Sequence, residues 1–182
     1  MTESLSSALK RILPLLNRSP IPYVLIGGLA SGILGRPRAT LDIDILVGGG
    51  STGLSKIAYL MEKQGAEKVE SFLEMNPMLR GSMVRMSLGP IPIDLMRSRD
   101  PHDRVTLRRR QKINTFGTKA FLPKPEDLIL LKMKTERDRD LSDCIGIFEA
   151  QKDRLDLKYL WRWAFRLRLV GEYQYVVGAK NK

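Results

Sequence analysis

Apolar residues fall at positions 5, 8, 9, 12, 13 and 16. That helical spacing predicts a helix over 4–17, with Pro14 inside it. Pro20 and Pro22 punctuate the chain, and the apolar run YVLI at 23–26 predicts a short buried strand. Gly27-Gly28 breaks this strand, LASGIL predicts a short helix, GRPRAT a loop, and LDIDILV at 41–47 a second strand. A helix over 51–64 follows, with Ser51 as its cap and Gly65 just past its end. A strand is expected around 67–72, and MVRMSL (83–88) and IPIDLM (91–96) flank Gly89-Pro90 as two strands joined by a tight turn. Beyond them the pattern predicts a helix over RVTLRRRQ and one or two short strands in INTFGTKAFLP. Pro125-Glu126-Asp127 opens a helix through LILLKMKTER, and further helices span LSDCIGIFEAQ and residues 156–169. Strand–helix alternation in front of a helical end predicts an α+β (α/β) fold, a small mixed β-sheet flanked by helices. The expected division is a core over 1–122 and a C-terminal helical region over 123–182 packed on it.

Composition narrows the class. At 182 residues and 43% hydrophobic content the chain has material for a folded core. No stretch approaches the ~20 apolar residues of a membrane span. The first helix carries Lys10 and Arg11 within its periodicity, which makes it amphipathic and unlike a secretion signal. A single cysteine, Cys144, excludes an internal disulfide and points to a reducing, cytoplasmic setting. With one histidine as well, a metal would be held by oxygen ligands.

The net charge of +11 is uneven: residues 1–96 hold 10 Lys/Arg against 8 Asp/Glu, and residues 97–182 hold 21 against 12. Such an excess fits a polyanionic partner, or simply a basic solvated surface. The arginines around Trp161 and Trp163 allow base stacking on RNA, or a terminal helix whose aromatics pack inward. His102, in DPHD, reads as a surface loop residue without chemistry.

The informative chemistry is acidic. Asp42 and Asp44 are two apart in an apolar strand and so share one face, while Ile43 and Ile45 share the other. Like charges about 7 Å apart along a strand repel unless a cation sits between them. Mg²⁺ is commonly held by such carboxylates together with substrate phosphates. Asp94 is a third lone acid among Ile91, Ile93, Leu95 and Met96, placed to complete a metal site and serve as general base. Gly27-Gly28 at a strand-to-helix junction suits close approach of a phosphate, or is a plain tight turn. Arg36 and Arg38 precede the acidic strand and can grip phosphate or face water. Read from its neighbours alone, Lys132 is a surface lysine whose stem lies along an apolar helix.

Gly27-Gly28, thirteen intervening residues, Asp42-Ile43-Asp44 and a later strand aspartate resemble the polymerase-beta-like nucleotidyltransferase superfamily. GGLA, a basic loop ending in Arg38-Ala39-Thr40, DIDILV, the Lys132 helix and the Arg137–Asp143 element more closely resemble the abortive-infection, toxin–antitoxin type of nucleotidyltransferase. The likeness covers roughly residues 23–148. It implies the nucleotidyltransferase fold and Mg²⁺ or Mn²⁺ on Asp42, Asp44 and Asp94. It also implies a nucleoside triphosphate such as ATP held by Gly27, Gly28, Ser31, Arg36, Arg38, Lys132 and Asp140. The activity implied is transfer of a nucleoside monophosphate to a hydroxyl of RNA, such as a tRNA 3′ end, or of a protein. An antitoxin partner is implied by the same likeness. One departure stands out: many relatives carry serine where this chain has Gly28. The competing reading is a catalytically silent domain of the same fold that binds nucleic acid or a partner.

Overall fold

The computed structural model describes residues 4–135 and 137–179. Helix α1 (Leu5–Arg18) starts at Ser4, whose hydroxyl accepts from the Ser7 amide, and buries Ala8, Leu9, Ile12, Leu13 and Leu16. Strand β1 (Tyr23–Leu25) leads to α2 (Gly27–Leu34) and β2 (Ile43–Val47). Helix α3 (Gly50–Glu62), β3 (Glu67–Lys68), α4 (Glu70–Met75), β4 (Met83–Leu88) and β5 (Ile91–Arg97) follow. Then come α5 (Pro101–Arg109), the hairpin β6 (Gln111–Thr115) and β7 (Thr118–Leu122), and α6 (Pro125–Met133). Helices α7 (Asp138–Gln151), α8 (Leu157–Leu167) and α9 (Val170–Gly178) complete the order.

Five strands form one mixed sheet in the order β1-β2-β5-β4-β3, in which β2 and β5 run parallel and the other pairs antiparallel. Ile43, Ile45, Ile93 and Leu95 are fully buried on one face, over which α3 packs. The opposite face carries Asp44 and Asp94, in register with each other, and then Leu46. Leu160, Ala164, Leu169 and Val176 from the last helices join the same buried cluster as the sheet residues. No helix among the described residues is long and apolar enough to cross a membrane.

Several boundaries differ from expectation for local reasons. The acidic strand begins at Ile43, because only from there does it pair with β5; Leu41 is exposed and Asp42 leads in. Helix α3 is capped by left-handed Gly49 rather than by Ser51. Only Glu67 and Lys68 pair with β4, after which the chain turns into α4. Helix α5 starts earlier than the pattern predicts, because Asp100 and Asp103 form a capping box around Pro101. Gln111 already belongs to β6. The helix expected over 156–169 is α8, closed where Arg168 takes a left-handed conformation, and a further helix, α9, follows it.

Candidate active site

The end of β1 places a helix start against the acidic strand. The Ile26 amide donates to the Asp44 carbonyl at 2.9 Å, and Gly27 then turns with φ 63° into α2. A Cβ at Gly27 would lie 1.8 Å from Asp44 Oδ2, and one at Gly28 would lie 2.6 Å from Thr40 Oγ1. Both glycines are therefore required first by their neighbours: the bare backbone lets Asp44 and Thr40 close onto it. Thr40 Oγ1 donates to Asp42 Oδ1 at 2.5 Å and so orients that carboxylate.

Register brings a second row together. Asp44 pairs with Asp94 across β2–β5, and Asp94 with Arg85 across β5–β4, so the three side chains share a face of the sheet. Arg85 donates to both oxygens of Asp94, from Nε at 2.7 Å and Nη2 at 2.5 Å, and its guanidinium lies 3.8 Å from the centre of the Phe72 ring. Asp94, the expected third metal ligand, is thus covered by a bidentate arginine at 5% exposure. Asp42 and Asp44 enter no ion pair among the described residues. Burial, and then the neighbouring charges of Asp42 and Asp94, push the Asp44 carboxyl up to about 6, against the pull of Lys132 and Arg137.

The opposite wall comes from α6 and α7. Lys132 is not the surface lysine that its neighbours in sequence suggest: it is 5% exposed, with Nζ 2.6 Å from Asp140 Oδ1 and 2.7 Å from Asp143 Oδ2. Arg38 holds both oxygens of Asp143 at 2.9 Å. Thr135 Oγ1 and Arg137 Nε each donate to Asp140 Oδ2 at 2.6 Å. Burial works to raise the Asp140 and Asp143 carboxyls, and these donors outweigh it and hold both below the usual range.

A cleft of about 150 Å³ opens between the walls, lined by Gly27, Gly28, Thr40, Asp42, Asp44 and Lys132 with Arg38, Arg137, Arg139 and Asp140 at its edge. A neighbouring cavity of about 260 Å³ shares Gly27, Asp44 and Lys132 and is walled by Ile26, Leu46, Met83, Met96, Arg97 and Arg99 among others. Asp44 stands at the wall between the two.

Of the residues singled out from sequence, Gly27, Gly28, Arg38, Asp42, Asp44, Lys132 and Asp140 meet in the cleft, and Asp94 lies in the row behind. Ser31 and Arg36 do not line it. The Ser31 hydroxyl is buried and donates to the Gly27 carbonyl at 2.9 Å, and Arg36 reaches out to Glu149 on α7. Arg85 escaped the sequence reading, although a two-residue turn at Gly89-Pro90 places residue 85 opposite residue 94. Thr40 was legible only as the structural end of the basic loop.

His102 is a clear correction: it is fully buried, with Nε2 3.3 Å from Asp127 and its ring against Trp163. Asp100, His102 and Asp103 have ligand atoms within 4.8 Å of one another. Lys134 Nζ already lies 2.7 and 2.8 Å from the two carboxylates, which also cap α5. This group therefore reads as a helix cap neutralised by lysine rather than as a metal centre.

No family model and no curated protein sequence matches this chain. Solved structures do. The antibiotic-resistance factor ANT(2″)-Ia superposes with a TM-score of 0.62 at 14% identity, covering 96% of this chain and 98% of that one. The same enzyme in complex with adenylyl-2″-tobramycin gives 0.62 at 15% identity over 90% and 97%. The lincosamide antibiotic adenylyltransferase LnuA, lincomycin-bound, gives 0.53 at 14% identity over 80% and 98%. The fold is that of the nucleotidyltransferases. In this nucleotidyltransferase fold the cleft between the glycine turn, the β2 acids and α6–α7 is the candidate active site.

Proposed function

We propose that the protein is a metal-dependent nucleotidyltransferase that moves a nucleoside monophosphate from a nucleoside triphosphate to a hydroxyl, with an RNA end as the favoured acceptor. The observation that carries this reading is the pair Asp42 and Asp44: two carboxylates at a cleft beside a glycine turn, with no ion-pair partner among the described residues. Their mutual repulsion suits Mg²⁺ or Mn²⁺, and they are the residues that would hold it. When bound, such an ion supplies charge neutralisation for the acids and for phosphate oxygens. The first amides of α2 and the guanidinium of Arg137 face the triphosphate. The acceptor oxygen bonds to the α-phosphorus as the bond to the pyrophosphate oxygen breaks, and the acceptor proton passes to a carboxylate. Asp94 takes that proton only if Arg85 yields one of its oxygens.

The larger neighbouring cavity bears on the acceptor. Arg97, Arg99 and Arg137 line it; of its acids, Asp100 and Asp103 are tied to Lys134 and Asp140 to Lys132, which leaves Asp44, shared with the smaller cleft, as the one outside an ion pair among the described residues. Such a wall repels a polycationic small molecule and favours an anionic acceptor such as RNA. The toxin role and antitoxin partner of the look-alike family accompany this reading. The silent-domain alternative draws on the closed Arg85–Asp94 pair.

Isothermal titration with ATP separates the two readings. Binding is expected with Mg²⁺ and not with EDTA, and Asp42→Asn with Asp44→Asn should abolish it. Absence of metal-dependent binding by the wild type would sink the enzyme reading. Incubation with labelled nucleotides and total tRNA then tests transfer, and growth arrest by the wild type but not the double variant tests the toxin role.

A further inference from the structure

Ser98 sits between Arg97 and Arg99, and it lines a different hollow from theirs, of about 620 Å³, on the other side of this segment. Gly48, Gly49 and Gly50 form one wall. Arg104 and Arg108 of α5, with Arg110 just beyond it, form the other, and no acid lines the space. Arg104 and Arg108 stand one turn apart and are exposed, and neither side chain has an ion-pair or hydrogen-bond partner among the described residues. Intervening Arg109 turns inward to Asp127 and Glu126, which leaves its two neighbours as a separate outward pair. Arg110 is fixed in place: Nη1 donates to the Leu107 carbonyl at 2.5 Å and the guanidinium lies over Phe121, while Nε is buried without a partner.

The glycine wall is bare backbone. Gly49 and Gly50 have φ of 76° and 65°, and a Cβ at Gly50 would meet nothing within 4 Å. Helix α3 opens there for thirteen residues without a side-chain cap, so its first amides are not taken by a capping side chain. Three guanidinium groups around an acid-free hollow, with the glycine backbone as its facing wall, match the chemistry of phosphate oxygens.

We propose that this hollow is a phosphate subsite for the backbone of single-stranded RNA, distinct from the catalytic cleft. The inference rests on the RNA-acceptor reading above but not on catalysis. Phosphodiester groups and free phosphate share the chemistry; an RNA strand is favoured because the arginines are spread along a helix, as for a repeating anion.

Arg104→Ala with Arg108→Ala tests it. Both side chains are exposed and unpaired, so the melting temperature should stay at the wild-type value. Fluorescence anisotropy of a labelled single-stranded RNA across a KCl series should show affinity falling about tenfold at low salt, and a salt slope shallower by about 1.4, the loss of two phosphate contacts. Mg²⁺-dependent ATP binding should be unchanged. Unchanged RNA affinity and slope would overturn the proposal. So would loss of ATP or inorganic phosphate binding with RNA binding intact, which would assign the hollow to free phosphate. If RNA binding falls while the wild type shows no Mg²⁺-dependent nucleotide binding, the subsite stands and the enzyme reading falls.

Discussion

The Asp44 carboxyl lies against the Cα of Gly27, with its pKa pushed from 3.8 up to about 6 by burial and by Asp42 and Asp94. Between pH about 4 and 6 the native state therefore holds a proton that the unfolded chain has lost. Stability falls as pH rises through that window and stays lower above it. Metal-free Asp44→Asn should be more stable than the wild type at pH 8 by roughly 1–3 kcal/mol, with the gain vanishing at pH 4. Thermal melts at both pH values check this, and a pH-independent difference would refute it. Gly28 has a comparable local cause. Its place in the look-alike family is often serine, but here the Thr40 hydroxyl occupies the space a side chain would need. The two-residue period made the inward isoleucines and the opposite-facing acids legible. It could not show that Ser31 spends its hydroxyl on the turn before it.

At the level of elements, the cleft walls are held by charge. Lys132 on α6 grips Asp140 and Asp143 on α7, and Arg38 ties the loop before β2 to Asp143. Cations expected on phosphate thus also set the width of the cleft. Lys132→Met leaves buried carboxylates short of a partner and should destabilise by about 3–5 kcal/mol. Urea denaturation measures it; a loss near zero would mean that Arg38 and Arg137 suffice. Adding Asp140→Asn to Lys132→Met should recover part of the loss. Helix α5 shows how local signals compete: DPHD reads as a loop, yet Asp-x-x-Asp around proline is a capping box, and the cap carries His102 into the interior. The short β3 erred the other way, since nothing local in EKVESF at 67–72 reveals that the ladder with β4 ends at Lys68.

Across the whole molecule, the terminal helices share one buried cluster with the sheet. Leu160 in α8 is fully buried, so Leu160→Ala should cost about 2–5 kcal/mol and lower a single cooperative melting transition. Two separate transitions would instead mark the region beyond residue 122 as an independent unit. Apart from α4 and α9, the order of strands and helices, with the buried faces and the acids at the cleft, follows from the sequence, because periods of 2 and 3.6 are set by neighbours along the chain. Arg85 over Asp94, Lys132 between two aspartates, buried His102 and the arginine hollow beside Gly48–Gly50 were decided by the fold. Such partners range from 8 residues apart for Lys132 and Asp140 to 105 for Arg38 and Asp143, and, the hairpin pair Arg85 and Asp94 aside, their meeting depends on how the elements pack rather than on any local pattern.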